Sequence, residues 1–173
     1  MILRPISLDD VPALAKLGRE SFVAAFGHLY AEADLNDFLE MVYSERSVRE
    51  EVEGTECTHQ VADDGERMLG YVKLRSPSWY AGDSPTELQN PVALGQLYTQ
   101  PDCTGQGIGA ALMEWAIAEA RERGHDAIQL SVWSENFGGQ RFYQRYGFEK
   151  VADIDFYVGE QRDEEFLYEL RLT

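Results

Sequence analysis

Three alternating glycines, Gly105, Gly107 and Gly109, stand between a strand-like segment and a long amphipathic helix. Glycine allows positive φ and lets a ligand approach the backbone closely. The first N–H groups of a helix have no partner within it, and the helix dipole adds partial positive charge there. The segment is therefore typical of an anion site that would accept a diphosphate. The alternative is a glycine turn that serves only tight packing.

The glycine spacing narrows the choice of ligand. The pattern G-x-G-x-G differs from the dinucleotide fingerprint G-x-G-x-x-G, and the lysine and Ser/Thr of a P-loop are missing. No Lys or Arg occurs from Val92 to Ala120. An anion bound here would therefore be held by backbone amides and the helix end.

This segment and a second one together resemble the GNAT-type acyl-CoA N-acyltransferases. Thr104, Gly107 and Gly109 occupy the family's Q/R-x-x-G-x-G/A motif, with Thr104 in place of the usual Arg or Gln. The second motif is an Asn that opens a helix ending in F-Y-x-x-x-G-F, matched here by Asn136, Phe142, Tyr143, Gly147 and Phe148. The resemblance covers residues 57–172 well and the N-terminal third more loosely.

The resemblance implies acetyl-CoA as co-substrate. No metal site is expected, because His59 and His125 have no Cys, His or acidic partners at metal-ligand spacing. The strand residues Leu97, Tyr98 and Thr99 would pair with the pantetheine arm, and Asn136 would contact the pantetheine or diphosphate region. Arg145 stands where many relatives carry a cation near the cofactor, and the alternative is a solvated helix residue. The remaining contacts would come from the glycine turn and the start of the following helix, namely Thr104, Gly105, Gln106, Gly107, Ile108, Gly109 and Ala110.

Tyr143 is the candidate general acid. A phenol with a pKa near ~10 can protonate a leaving thiolate whose conjugate acid has a pKa near ~8.5. The alternative is that Tyr143 belongs only to an aromatic core cluster with Phe142 and Tyr146. Asn136 could likewise be only the N-cap of its helix. Oxyanion stabilisation would come from a backbone N–H near Leu97 or Tyr98.

The general base is not evident. An ammonium with a pKa near ~10.4 must lose a proton before it can attack. Ala93 stands where many relatives carry a Glu, and Gln96 cannot take a proton. Desolvation, a water chain, or a carboxylate such as Glu135 or Glu87 could serve instead.

The N-terminal segment resembles that of bacterial polyamine-type acetyltransferases, where it forms the acceptor pocket. His28 and Tyr30, on an expected loop, are the pocket candidates, whereas Phe22 and Phe26 are expected in the core. The net charge of −16 would attract a polyamine. Amino acids, aminoglycoside-like amines and a protein N-terminus remain alternatives.

The positions of these residues depend on a regular succession of elements. Apolar spacing predicts a strand, helices, three strands, a helix, a strand, a helix and two strands, which indicates a single α/β (α+β) domain over residues 1–173. We expect a mixed, mostly antiparallel sheet flanked by helices. A Pro- and Gly-containing loop over 76–91 is long enough to be functional.

Composition restricts the partners. With 15 basic and 31 acidic residues, the chain is not expected to bind nucleic acid or an anionic membrane, because binding phosphates requires a positive field. No signal peptide or membrane span is evident, so we expect a cytoplasmic protein with two reduced cysteines. A homodimer is compatible with the sequence.

The sequence therefore predicts direct transfer of an acetyl group from acetyl-CoA to the primary amine of a small molecule. Two alternatives stay open. One is an acyl-CoA sensor without catalysis, which the substitutions at Ala93 and Thr104 favour. The other is a transferase that uses another acyl-CoA or a protein N-terminus.

Overall fold

The computed structural model describes all 173 residues as one seven-stranded sheet with five α-helices. The strands are β1 (Ile2–Pro5), β2 (Cys57–Asp63), β3 (Met68–Arg75), β4 (Val92–Thr99), β5 (Ala127–Trp133), β6 (Glu149–Val158) and β7 (Gln161–Arg171). The helices are α1 (Val11–Phe26), α2 (Glu32–Tyr43), α3 (Glu45–Glu53), α4 (Ile108–Glu122) and α5 (Phe137–Arg145).

The sheet has the order β1-β2-β3-β4-β5-β7-β6, and every neighbouring pair is antiparallel except β4 and β5. The predicted α/β class with a mixed, mostly antiparallel sheet is confirmed. No helix is long and apolar enough to cross a membrane.

Apolar residues cover both faces of the sheet. The largest cluster packs α4 and α5 against the strands, with Leu112, Met113 and Ala116 fully buried. A second cluster packs α1 and α3 on β2 and β3, and a third joins α1, α2 and β6. Helices therefore lie on both faces of the sheet.

The last strand is longer than its sequence pattern predicts. The alternation of Phe166, Tyr168, Leu170 and Leu172 predicts a strand from Phe166, and these residues do pack against the largest cluster. The strand begins five positions earlier, at Gln161, because the hairpin turn pairs Val158 with Gln161. The added part carries the buried acids Asp163 and Glu165.

Candidate active site

The site begins where β4 and β5 separate. These parallel strands pair only at Val92 with Ile128 and at Ala93 with Gln129. Beyond Ala93 the β5-facing side of β4 has no ladder partner, although β4 continues to Thr99. An unpaired strand edge presents N–H and C=O groups to which an extended chain can add.

A bulge at Gly95 accompanies the separation. Gln96 lies opposite Lys73 and Leu94 lies opposite Leu74, so Gly95 has no partner on β3. A bulge of this kind bends its strand, which turns β4 away from β5. A Cβ at Gly95 would lie 3.0 Å from Cε of Lys73. A glycine inside a strand pattern was the signal for this bulge in the sequence.

The alternation of the ladder identifies which amides of β4 are free. The Gln100 N–H donates to the Leu69 carbonyl, so Tyr98, two residues earlier, also directs its backbone groups towards β3. Leu97 and Thr99 direct theirs to the unpaired side. Of the two oxyanion candidates, the geometry favours the Leu97 N–H over that of Tyr98.

The glycine turn has the backbone geometry of an anion cradle. Gly105 and Gly107 have φ of +77° and +79°, and no atom lies within 4 Å of where a Cβ would stand on either. The first bond within α4 runs from the Ala111 N–H to the Gly107 carbonyl. The amides of Ile108, Gly109 and Ala110 therefore have no partner inside the helix. Thr104 and Gln106 are exposed beside them.

Two arginines lie near this turn. Arg67, from the β2–β3 turn, donates to Asp102 at 2.8 Å and to Sγ of Cys103 at 3.3 Å, so its charge is already paired. The Arg145 guanidinium lies 5.6 Å from the centre of the Phe142 ring. That ring would lie 3.8 Å from a Cβ on Gly109. Arg145 forms no ion pair, and the Phe142 ring that it contacts lies next to Gly109 in the first turn of α4.

A cavity of about 480 Å³ lies at the separation of the two strands. It receives side chains from both layers, because α1 and α2 lie on one face of the sheet and α5 on the other. Its aromatic lining consists of Phe22, Phe26, Tyr30, Phe38, Tyr43, Trp79, Tyr80, Tyr98, Trp133, Tyr143 and Phe156. Trp79 and Tyr80 come from the long 76–91 loop.

Tyr143 and Asn136 both line this cavity. Asn136 also caps α5, since its Oδ1 accepts from the Gly139 N–H at 2.9 Å. The hydroxyl of Tyr143 makes no hydrogen bond within the chain. Burial raises the pKa of Tyr143 above its usual value of 10, helped by neighbouring Tyr98, Tyr80 and Glu165. The phenol therefore keeps its proton throughout the neutral range.

Of the two residues predicted to bind the acceptor amine, only Tyr30 lies at the cavity. Tyr30 lines the cavity, and its hydroxyl donates to Asp163. His28 does not line the cavity; it is exposed, and its ring centre lies 6.5 Å from that of Trp133. Phe22 and Phe26, expected in the core, do line the cavity. The helical spacing correctly placed them on the inner face of α1, but that face packs on a cavity as well as on the core.

The carboxylates that the sequence suggested as general base do not lie at the cavity. Glu87 and Glu135 are exposed and do not line it. Ala93 is fully buried, and the Gln96 amide oxygen accepts a hydrogen bond from the Tyr71 hydroxyl at 2.8 Å.

Sequence reasoning missed the two carboxylates that the cavity does contain. Asp163 and Glu165 lie on β7 and are 7% and 8% exposed. Two acids in an alternating segment are usually solvent-facing, and the predicted strand began only after them. Burial raises the pKa of Glu165 to about 7, and the charge of Asp163 adds to the effect.

Comparison with known proteins identifies the family. The sequence profile described as the acetyltransferase (GNAT) family matches residues 19–148, which is most of the chain. The chain belongs to the GNAT acetyltransferase family. It is accordingly an acyl-CoA-dependent N-acyltransferase.

Relatives and solved structures extend over nearly the whole chain. An uncharacterised N-acetyltransferase of Lactobacillus delbrueckii subsp. lactis is 26% identical over 97% of this chain and 95% of its own length. Spermidine N(1)-acetyltransferase of Thermoplasma acidophilum is 24% identical over 88% of this chain and 90% of its own. A PaiA N-acetyltransferase of Thermoplasma acidophilum, solved with coenzyme A, superimposes with a TM-score of 0.76 at 22% identity, covering 99% of this chain and 98% of that one.

Proposed function

We propose that this enzyme transfers the acetyl group of acetyl-CoA to a primary amine of an aliphatic small molecule, polyamines included, by direct attack. One observation carries the proposal. The separation of β4 from β5 brings the free Leu97 amide, Tyr143 and the two buried acids to the walls of one cavity. This combination of a backbone donor, a phenol and carboxylates is what aminolysis of a thioester would use.

The residues present fit coenzyme A. A diphosphate would accept from the amides of Ile108, Gly109 and Ala110, with the guanidinium of Arg145 nearby. The glycine turn leaves room for this approach. The pantetheine arm would add to the unpaired edge of β4 at Leu97 and Thr99. The bound co-substrate supplies a thioester carbonyl as the electrophile.

Two groups of the chain would act on the reacting atoms. The Leu97 N–H is fixed in the strand and would donate to the oxygen that gains charge as the amine attacks. Tyr143, held protonated, would give its proton to the departing sulfur.

The charge of the cavity supports a cationic acceptor. Its charged side chains are Lys73, Asp163 and Glu165, and Lys73 is already held by Glu51 at 2.8 Å. The two acids lie among aromatic rings, which bind an alkylammonium through cation–π contact. An acceptor that carries its own carboxylate would bring like charges together in a buried space, at a cost of several kcal/mol.

A matched pair of amines tests this proposal. 1,5-Diaminopentane and lysine differ by one carboxylate, so their comparison isolates its charge. We expect acetyl-CoA-dependent thiol release with the diamine, and a kcat/KM at least about a hundredfold lower with lysine. Equal rates with both would contradict the cationic acceptor site.

The same assay tests the alternative acceptor amines and the alternative acyl group. Spermidine, an aminoglycoside and a short peptide with a free N-terminus are added as further amines, and succinyl-CoA replaces acetyl-CoA in a parallel series. Release of thiol with the peptide alone, or with succinyl-CoA alone, would replace the proposed substrate with that one.

A further inference from the structure

The buried acids of β7 form a distinct part of the cavity wall. Asp163 and Glu165 are alternate residues, so both side chains lie on the same face of the strand. Across the ladders Glu165 faces Trp133 on β5 and Ile154 on β6. Glu165 is therefore surrounded by apolar groups on both neighbouring strands, although its side chain is acidic.

The two acids differ in their partners. Asp163 accepts hydrogen bonds from the Tyr30 hydroxyl and from Nε2 of Gln161 at 3.3 Å. Oε2 of Glu165 is buried and has no hydrogen-bond partner. Neither acid forms an ion pair within the chain. A buried acceptor without a donor is costly, and a catalytic role is one of the explanations for retaining such a group.

The other titratable groups of the cavity are less suited than Glu165 to accept a proton from a bound ligand. They are Tyr30, Tyr43, Lys73, Tyr80, Tyr98 and Tyr143, together with Asp163. Burial raises the pKa of each of these tyrosines, so they remain protonated at neutral pH. Lys73 is bound to Glu51. Asp163 is occupied by Tyr30 and Gln161, which leaves Glu165 as the carboxylate with a free oxygen.

We infer that Glu165 is the general base of the reaction and takes the proton of the incoming ammonium at Oε2. This inference rests on the proposed function. The titration range of Glu165 suits the role, because burial and the Asp163 charge raise its pKa to about 7.

The protons balance in the following way. The ammonium gives one proton to Glu165, and the nitrogen lone pair then forms the N–C bond while the carbonyl π pair moves to oxygen. That pair returns as the C–S bond breaks, and the sulfur leaves with the bonding electrons and takes the Tyr143 proton. A second nitrogen proton restores the Tyr143 hydroxyl, and the proton on Glu165 passes to solvent as the amide leaves.

The variant Glu165→Gln tests the inference through its pH profile. In the unmodified enzyme, kcat/KM for the diamine should rise with pH through about 7, because Glu165 must lose its proton. In the variant this limb should disappear, and kcat at pH 7.5 should fall by at least about a hundredfold. Glu164→Gln is the matched control, since the neighbouring Glu164 is exposed, and it should leave both unchanged.

A second measurement needs no substrate. The pKa of Glu165 in the folded protein lies above its ordinary value of 4.5. The contribution of Glu165 to the free energy of unfolding is therefore fully present below pH 4.5 and is lost as the pH rises through about 7. Glu165→Gln should therefore raise the thermal midpoint by roughly 5 °C at pH 8 and leave it unchanged near pH 4.

The outcomes separate the two claims. If the unmodified enzyme releases no thiol with any amine, the proposed function fails. If it is active and Glu165→Gln keeps its kcat or its limb near pH 7, Glu165 is not the base. If Glu165→Gln raises KM but leaves kcat unchanged, Glu165 is a binding residue and not the base. If the variant has the same thermal midpoint as the unmodified enzyme at pH 8, Glu165 is not a buried carboxylate with a raised pKa.

Discussion

Replacing Tyr143 by phenylalanine is expected to lower kcat by at least about a hundredfold, within the range that general acids contribute. The variant removes one oxygen, whose hydroxyl makes no hydrogen bond within the chain, so packing against Phe142 and Phe148 should persist. The affinity for acetyl-CoA, measured by titration calorimetry, should stay the same. Steady-state thiol release gives kcat.

Tyr146→Phe is the control for this substitution. Tyr146 packs on Phe142 just beyond the C-terminal end of the same helix and does not line the cavity. Its variant should keep the full kcat. Because the pKa of Tyr143 is raised, the unmodified enzyme should show no loss of rate up to pH 9 from ionisation of this phenol. A Tyr143→Phe variant with unchanged kcat would remove Tyr143 from the mechanism.

Placing a carboxylate at the start of α4 is expected to abolish tight binding of acetyl-CoA. Ala110 lies in the first turn, where its amide has no partner within the helix. In Ala110→Glu the new charge would repel the diphosphate, and two unit charges at 4 Å repel by about 4 kcal/mol at an effective dielectric of 20. We expect the Kd to rise by at least about a hundredfold.

The helix should tolerate this change, since an acid in its first turn interacts favourably with the dipole. Ala118→Glu is the matched control, because Ala118 is exposed near the other end of α4 and the change in net charge is the same. Calorimetric Kd values that shift equally in both variants would show that net charge, not the helix start, governs binding.

Much of the fold was predictable because its elements are locally consistent. The period of the apolar residues in α4 and the alternation in β5 are strong signals. Positive φ at Gly107 agrees with the interpretation of the glycine turn. Gly95 within a strand pattern is a sequence signal for a bulge. The separation of β4 from β5 that accompanies the bulge could not be predicted, because it depends on which strands neighbour β4.

The acceptor side of the site was much less predictable. Asp163 and Glu165 have the local pattern of a solvent-facing hairpin, but both are buried in the folded chain, where α1 and α2 pack against the neighbouring β6. The chemistry of His28 suggests an acceptor contact, but the side chain is exposed and lies outside the cavity lining. The residues of the acceptor site come from distant parts of the chain, so they form no motif of fixed spacing in the sequence.

A crystal structure of the enzyme with acetyl-CoA tests the account most directly. It should show the diphosphate oxygens within hydrogen-bond distance of the amides of Ile108, Gly109 and Ala110, and the thioester oxygen facing the Leu97 N–H. A complex in which these amides face only solvent, with the thioester outside the gap between β4 and β5, would contradict it.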